Sequence, residues 1–128
     1  VLNRTREFND EIFNMQMPDG MVIHESVVDS CELVAGKLLK QAGMTLEDID
    51  VFITSDQTTL TWKAQLEKMN VSPEKSTSSF YKYGNTVAAL SPINLHEMIT
   101  TGRLKRGMIV LFMAHGAGAS GGGLIFRY

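Results

Sequence analysis

Residues 83–89, with the sequence YGNTVAA, place a glycine and an asparagine just ahead of a predicted helix. Gly84 has no side chain and therefore allows the backbone to turn tightly at the helix entrance. Asn85 stands at the helix start, where its side chain can either cap the helix or point into a site. Taken alone, the motif favours a helix cap. A role for Asn85 in a functional site needs support from the surrounding sequence.

The sequence on both sides of this motif alternates helical and extended character. Apolar residues recur at helical spacing over 21–42, 57–69 and 88–101, which predicts three helices. Gly43 ends the first helix, and Pro92 is expected in the first turns of the third or at a kink there. Short apolar runs predict strands at 11–17, 50–54, 108–114 and 124–128. Helices between apolar strands indicate an α/β domain with a mostly parallel sheet, closed by an antiparallel hairpin.

Composition excludes several classes of function for these 128 residues. The net charge of −2, with no basic stripe, argues against a nucleic-acid partner. No apolar run is long enough to span a membrane, and His24 and His96 lack the spacing of metal ligands. The N-terminal residues have no apolar signal core, and one cysteine cannot form an internal disulfide, so a cytoplasmic setting is expected.

Further motifs follow YGNTVAA in a specific order. Residues 102–107, GRLKRG, precede an apolar strand, a glycine-rich loop at 115–123 and a closing Phe126-Arg127-Tyr128. This order and spacing resemble the C-terminal domain of 3-oxoacyl-(acyl carrier protein) synthase III-like proteins, which are thiolase-fold condensing enzymes. The resemblance implies a single domain over 1–128, with a loop remnant at 1–11. It also implies a mixed five-stranded sheet with helices, whose first strand we do not find in this sequence.

The resemblance gives Asn85 a catalytic role. In the family, a cysteine of the N-terminal half takes the acyl group. A histidine and an asparagine of the C-terminal half then stabilise the enolate formed when malonyl-carrier protein is decarboxylated. Such stabilisation needs fixed donors that face the developing negative charge. Asn85 matches the family asparagine, and its carboxamide supplies a neutral N–H donor.

The family histidine has no counterpart here. Its motif is His-Gln-Ala-Asn-Leu, and the matching residues 55–60 read SDQTTL. Gln57 and Leu60 set a register that puts Asp56 at the histidine position, whereas an alignment without a gap puts Ser55 there. An ionised aspartate has no donor for an enolate and would repel it. Asp56 could instead act as a general base, or donate if burial raised its pKa, so the departure argues against decarboxylation.

The glycine-rich loop supplies the third part of the implied site. Gly116, Ala117 and Gly118 match the loop whose backbone N–H completes the family oxyanion hole, with Ala117 at the central position. Without the resemblance, such a loop is usually a tight connection between strands. His115 replaces an aromatic residue common in the family, and it is either a relocated imidazole or a histidine packed at a strand end. His115 and Gln57 are the candidate substrate-lining residues.

The resemblance leaves two functions open. The first is a ketoacyl-synthase III-like acyltransferase of fatty acid and lipid metabolism, with acyl-coenzyme A or a phosphopantetheinyl acyl carrier protein as substrate and no separate cofactor. The second is a non-catalytic structural or regulatory subunit with the same fold. In either case the expected partners are an N-terminal thiolase-fold half of the same protein and a second copy in a homo-oligomer. These residues alone are expected to be inactive.

Overall fold

A three-stranded mixed sheet organises the part of the chain that the computed structural model describes, residues 19–116 and 120–128. The strands are β1 (Val51–Ile53), β2 (Ile109–Gly116) and β3 (Ser120–Arg127), in the order β1-β2-β3. β1 runs parallel to β2, and β2 runs antiparallel to β3. The predicted α/β class and closing hairpin are confirmed. The five-stranded sheet stays a prediction, and the predicted strand at 11–17 and loop at 1–11 lie outside the described residues.

The first helix, α1 (Gly20–Ala42), begins and ends at residues suited to helix boundaries. Asp19 caps its start, because Oδ1 accepts hydrogen bonds from the backbone N of Met21 at 2.9 Å and of Val22 at 3.3 Å. Gly43 ends it with φ +64°, a left-handed conformation that glycine adopts without a steric penalty. The helix predicted over 21–42 and its terminating glycine are therefore confirmed.

The other helices also follow the predicted order. They are α2 (Thr59–Lys68), the single-turn α3 (Phe80–Tyr83) and α4 (Leu90–Thr100). Pro92 lies in the first turn of α4, where its missing N–H leaves no helical hydrogen bond unmade. Three short 3₁₀ turns join the elements, at Leu46–Asp48, Pro73–Lys75 and Val87–Ala89. The single turn of α3 was not predicted, because four residues are too few for a helical period.

The sheet is covered on both faces, and each face has its own apolar cluster. The cluster beneath α1 and α2 contains Cys31, Ala35, Leu39, Ile49, Phe52, Leu66, Met69, Leu111 and Met113. The cluster beneath α4 contains Val51, Ile53, Met98, Leu104 and Val110. Neighbouring residues along β1 and β2 alternate between the two clusters, as the pleat of a strand requires.

The last strand begins four residues earlier than predicted, at Ser120 rather than at 124, because Gly121 to Gly123 take part in the ladder. A Cβ atom at Gly123 would lie 2.5 Å from the backbone O of Phe112 and 3.1 Å from Leu38 Cδ1. A Cβ atom at Gly122 would have no atom within 4 Å. A side chain at Gly123 would therefore clash with its neighbours, whereas a side chain at Gly122 would not.

We expect Gly123→Ala to lower the free energy of unfolding by about 1–3 kcal/mol, because the added methyl group meets a backbone oxygen that cannot rotate away. Gly122→Ala is the matched control in the same strand, and we expect a change within about 0.5 kcal/mol. Urea unfolding followed by circular dichroism measures both variants. Equal destabilisation by the two substitutions would contradict the packing described for Gly123.

Candidate functional site

The residues that follow β1 and those that end β2 lie at the same edge of the sheet, because the two strands are parallel. Thr54, Ser55 and Asp56 come directly after β1, and all three are buried although they are polar. Buried polar groups are almost always hydrogen-bonded within the protein. Their partners therefore define how this edge is built.

The carboxylate of Asp56 is fully buried, with 0% exposure. Its Oδ2 accepts hydrogen bonds from Ser78 Oγ at 2.6 Å and from the backbone N of Phe80 at 3.0 Å. Its Oδ1 accepts from Asn94 Nδ2 at 2.7 Å. Removing a carboxylate from water is unfavourable unless donors replace the lost hydration, and these three donors do so. The carboxylate is thus engaged within the protein, and it forms no hydrogen bond with Asn85.

Asn94 extends this network from α4, where it is also fully buried. Its Nδ2 donates to the backbone O of Thr54 at 3.2 Å as well as to Asp56. Its Oδ1 accepts from the backbone N of Ser79 at 3.0 Å. Asp56 and Asn94 together hold the segment 78–80 against the end of β1.

Ser55 belongs to a second buried chain of hydrogen bonds, which runs towards β2. The backbone N of His115 donates to Ser55 Oγ at 3.1 Å. Ser55 Oγ lies 3.1 Å from Ser91 Oγ, and Ser91 Oγ donates to the backbone O of Met113 at 2.9 Å. Because Ser91 gives its one proton to Met113, the proton between the two hydroxyls comes from Ser55. Ser55 is therefore fully engaged in tying β1 and α4 to β2.

Asn85 lies in an exposed turn between α3 and the 3₁₀ turn Val87–Ala89. Its Oδ1 accepts a hydrogen bond from the backbone N of Val87 at 2.9 Å, which fixes the orientation of the carboxamide. The turn uses positive φ at Gly84 (+68°) and at Val87 (+55°), the latter uncommon for a β-branched residue. Within the described part of the chain, nothing bonds to Nδ2 of Asn85. The side chain thus both caps its own turn and leaves a donor available.

The His115 ring lies near the end of β2 on the face covered by α1. Its Cδ2 would be 3.4 Å from a Cβ at the cross-strand Gly121, which Ser30 of α1 also approaches. Both ring nitrogens are shielded from solvent and have no partner among residues 19–116 and 120–128. Burial lowers the pKa of His115 below its usual value of 6.5, which favours the neutral ring. Ser55 instead faces α4, so only the backbone of His115 joins the network at the strand ends.

The remaining predicted residues are described in part. Gly116 is exposed and pairs with Ser120 across the hairpin, whereas Ala117 and Gly118 lie outside the described residues. Gln57 is half-buried, just before Thr58, whose Oγ1 accepts from the backbone N of Thr61 and caps α2. The oxyanion loop that the sequence predicts therefore stays a prediction.

The single cysteine lies away from this edge of the sheet. Cys31 has 0% exposure inside the cluster beneath α1, and burial raises the pKa of its thiol to about 12. A nucleophilic cysteine needs an accessible thiolate, which this environment disfavours. Among the described residues there is no group of three or more His, Cys, Asp or Glu side chains that could hold a metal ion. Over the same residues, no helix combines the length and the apolar character needed to cross a bilayer.

Sequence reasoning missed the residues that support Asp56 and Ser55. Ser91 and Asn94 are three positions apart on α4, so they lie on the same face of the helix, and both are buried. Two polar residues at this spacing on a core-facing helix are a signal that buried polar partners stand opposite. What could not be seen from the sequence is which residues those partners are.

Sequence comparisons with known proteins agree on one family. Residues 39–128 match the sequence profile of the 3-oxoacyl-(acyl-carrier-protein (ACP)) synthase III C terminal. The chain is 37% identical over 109 residues to the β-ketoacyl-(acyl-carrier-protein) synthase III of Aquifex aeolicus, covering 85% of this chain and 35% of that protein. The corresponding protein of Syntrophomonas wolfei is 34% identical over 110 residues, with 86% and 33% covered.

A solved structure extends the likeness to the fold. The crystal structure of 3-oxoacyl-(acyl-carrier-protein) synthase III from Aquifex aeolicus superposes with a TM-score of 0.85 at 35% identity, covering 93% of this chain and 38% of that one. The chain thus spans about a third of the length of these relatives. The likeness is to their C-terminal part, with an α/β thiolase-like fold. This chain belongs to the 3-oxoacyl-(acyl-carrier-protein) synthase III C-terminal family.

Proposed function

We propose that this chain is the C-terminal part of an acyltransferase that acts on acyl thioesters, and that Asn85 donates a hydrogen bond to the reacting carbonyl oxygen. One observation carries the proposal: Oδ1 of Asn85 is held by the backbone N of Val87 at 2.9 Å, while Nδ2 has no partner among the described residues. A donor held in place before the reaction stabilises a developing oxyanion without reorganisation. Asn85 is also exposed, as a residue that contacts substrate must be.

The proposed reaction has two acyl transfers. A cysteine of an N-terminal half attacks the thioester carbonyl, its proton passes to the departing sulfur of the original thioester, and an acyl-enzyme forms. An acceptor hydroxyl, amine or thiol then attacks the acyl-enzyme, and its proton passes to the departing cysteine sulfur. Both steps pass through a tetrahedral oxyanion, to which Asn85 Nδ2 and a backbone N–H of the loop 116–118 donate hydrogen bonds.

Transfer to such an acceptor is favoured over decarboxylative condensation. The two residues that can occupy the family histidine position are Ser55 and Asp56, and neither supplies an imidazole. Asp56 has 0% exposure and is enclosed by three donors, so its carboxylate has no free face towards an enolate. A catalytic role for Asp56 as a general base stays a prediction from the sequence.

The proposed substrates and partners follow from the family likeness and from the exposed apolar side chains near the site. Leu60, Tyr81 and Val87 are 64%, 75% and 76% exposed, and they lie close in sequence to the predicted site residues. Large apolar side chains that are exposed to solvent can mark a surface that a partner covers. We assign this surface to an N-terminal half of the same protein. The acyl donor is acyl-coenzyme A or an acyl carrier protein, and a homo-oligomer is expected.

The alternative is a non-catalytic subunit that keeps the fold. It is favoured by the engagement of both Ser55 and Asp56 in structural hydrogen bonds, which leaves no free side chain for catalysis at either candidate histidine position. The two functions differ in whether the full-length protein forms an acyl-enzyme. That difference can be measured directly.

Intact-protein mass spectrometry after incubation with acyl-coenzyme A thioesters tests the proposal. We expect the full-length protein to form a hydroxylamine-labile adduct on a cysteine outside these 128 residues. Cys31→Ala should leave the adduct in place, because this thiol is buried and its pKa is about 12. The 128-residue chain alone should form none. No adduct across short and long acyl chains would favour the non-catalytic subunit.

Asn85→Asp separates the two functions of this side chain. The new carboxylate can still accept from the backbone N of Val87, but it loses the Nδ2 donor and adds a negative charge. We expect acyl-enzyme formation to slow by about 100-fold, the effect of removing one oxyanion donor. Asn70→Asp is the matched control, because it makes the same change just beyond α2, at an exposed residue that also has a positive φ, +52°. Equal rates for the two variants would contradict the assignment of Asn85.

The stability of the protein should depend on the neutral state of His115. Because its folded pKa is lowered, the unfolded chain binds the proton more readily. The stabilisation is therefore present above the unfolded pKa of about 6.5 and is lost as the pH falls towards the folded value. His115→Phe should remove this dependence, while His96→Gln, at an exposed position on α4, should retain it. The measurement is urea unfolding between about pH 5 and pH 7; parallel curves for all three proteins would refute the assignment.

A further inference from the structure

We infer that Asp56 and Asn94 form a positioning pair, which holds the segment 78–80 so that the following turn presents Asn85 in its donor orientation. The inference rests on the proposed function of Asn85. It gives Asp56 a role other than that of a general base, because the carboxylate acts through the backbone that leads to Asn85. It also assigns a function to Asn94, a residue that no sequence motif indicated.

The pair forms a closed set of contacts around the start of α3. Asp56 accepts from Ser78 Oγ and from the backbone N of Phe80, at 2.6 and 3.0 Å. Asn94 accepts from the backbone N of Ser79, at 3.0 Å. The 2.7 Å hydrogen bond from Asn94 Nδ2 to Asp56 Oδ1 joins the two side chains. Three consecutive residues are thereby fixed by two side chains that are both fully buried.

This constraint is transmitted to Asn85 through a single turn of helix. The backbone N of Tyr83 donates to the O of Ser79 at 3.1 Å, and the N of Gly84 donates to the O of Phe80 at 2.8 Å. Gly84 then turns the chain with φ +68° into Asn85. A displacement at Phe80 therefore moves the turn that sets the direction of the carboxamide.

The surface contacts of α3 are too weak to replace this anchor. Lys82 Nζ lies 2.9 Å from Glu97 Oε1 on α4, but the two side chains remain 38% and 20% exposed. Partly exposed ion pairs of this kind contribute little to stability, because water screens the two charges. The buried pair Asp56–Asn94 is therefore the stronger of these two constraints on α3.

The neighbouring pair Ser55–Ser91 offers a matched comparison. It joins the same two elements, the end of β1 and α4, and both hydroxyls are buried. Its further bonds go to Met113 O and from the backbone N of His115, on β2, and none goes to residues 78–80. Ser91→Ala therefore removes buried hydrogen bonds of α4 without removing any bond to residues 78–80, the segment that precedes Asn85.

Donor and acceptor roles make Asp56 and Asn94 depend on each other. In Asp56→Asn, an amide NH₂ replaces a carboxylate oxygen and meets either Asn94 Nδ2 or the donors from Ser78 and Phe80. In Asn94→Asp, a second carboxylate oxygen faces Asp56. In the exchanged double variant, the amide at position 56 can accept from Ser78 and Phe80 and donate to the carboxylate at position 94. That carboxylate can still accept from Ser79, but its other oxygen faces the backbone O of Thr54, to which Asn94 donates in the wild type, so the rescue is partial.

Amide hydrogen exchange of the full-length protein, read by mass spectrometry in peptides covering 78–87, tests the inference without relying on catalysis. We expect exchange in these peptides to rise about tenfold or more in Asp56→Asn and in Asn94→Asp, since each leaves buried groups unpaired. The double variant Asp56→Asn/Asn94→Asp should return to within about threefold of the wild type. In Ser91→Ala, peptides that end before the turn at Asn85 should exchange as in the wild type. Unchanged exchange in both single variants, or no rescue by the double variant, would overturn the inference.

The rate of acyl-enzyme formation adds a readout that general destabilisation would not move. If Asp56 acts through Asn85, Asp56→Asn should slow the wild-type reaction about tenfold but should have little further effect in the Asn85→Asp background. Additive losses in the two backgrounds would count against positioning. An absence of acylation in the wild type would overturn the proposed function instead, and the exchange data would still decide the structural part of the inference.

Discussion

A buried carboxylate is the constraint on which the arrangement at the candidate site depends. Asp56 has no exposure to solvent, and a charged or strongly polar group in that position must be surrounded by donors. The donors come from α4 and from the segment that leads into α3, namely Asn94, Ser78 and the backbone of Phe80. The chain must therefore return to the end of β1 immediately before it reaches Asn85. The position of the exposed Asn85 therefore follows from the hydrogen bonds that the buried Asp56 requires.

Two hydrogen-bond networks begin at the end of β1. The network through Ser55 extends to β2 and fixes α4 on the sheet, whereas the network through Asp56 extends to residues 78–80 and fixes the segment before Asn85. Both use residues of α4 that are three positions apart, so one helix face serves both. A polar residue on that face is stabilised only by its own partner at the strand end. Substitutions at 55, 56, 91 and 94 are therefore expected to be coupled in pairs.

Most of the fold could be predicted from the sequence, because residues that favour helix ends and turns separate the helices from the strands. Gly43 ends α1 as its conformational preference requires, and the apolar run before the glycine-rich loop forms β2. The start of β3 was placed too late, since glycines predict a loop when their neighbours are unknown, whereas Gly123 is needed where it faces the backbone of Phe112. In the same way, a motif makes Asn85 a candidate site residue, whereas no motif indicates Asn94. Partners distant in sequence are defined only once the sheet brings them together.

The histidine position illustrates what an alignment alone cannot decide. Two registers are possible from the sequence, one that puts Asp56 at the position and one that puts Ser55 there. In the structure both residues are buried and engaged, each with its own partner on α4. Whichever register applies, the space at the end of β1 contains a matched polar pair, because an unpaired hydroxyl or carboxylate there would be strongly destabilising. Neither residue supplies an imidazole, and the pair formed by Asp56 and Asn94 holds the segment that leads to the turn of Asn85. The proposed role of Asn85 as a donor depends on this geometry, because the buried pair holds residues 78–80 immediately before the turn that carries its carboxamide.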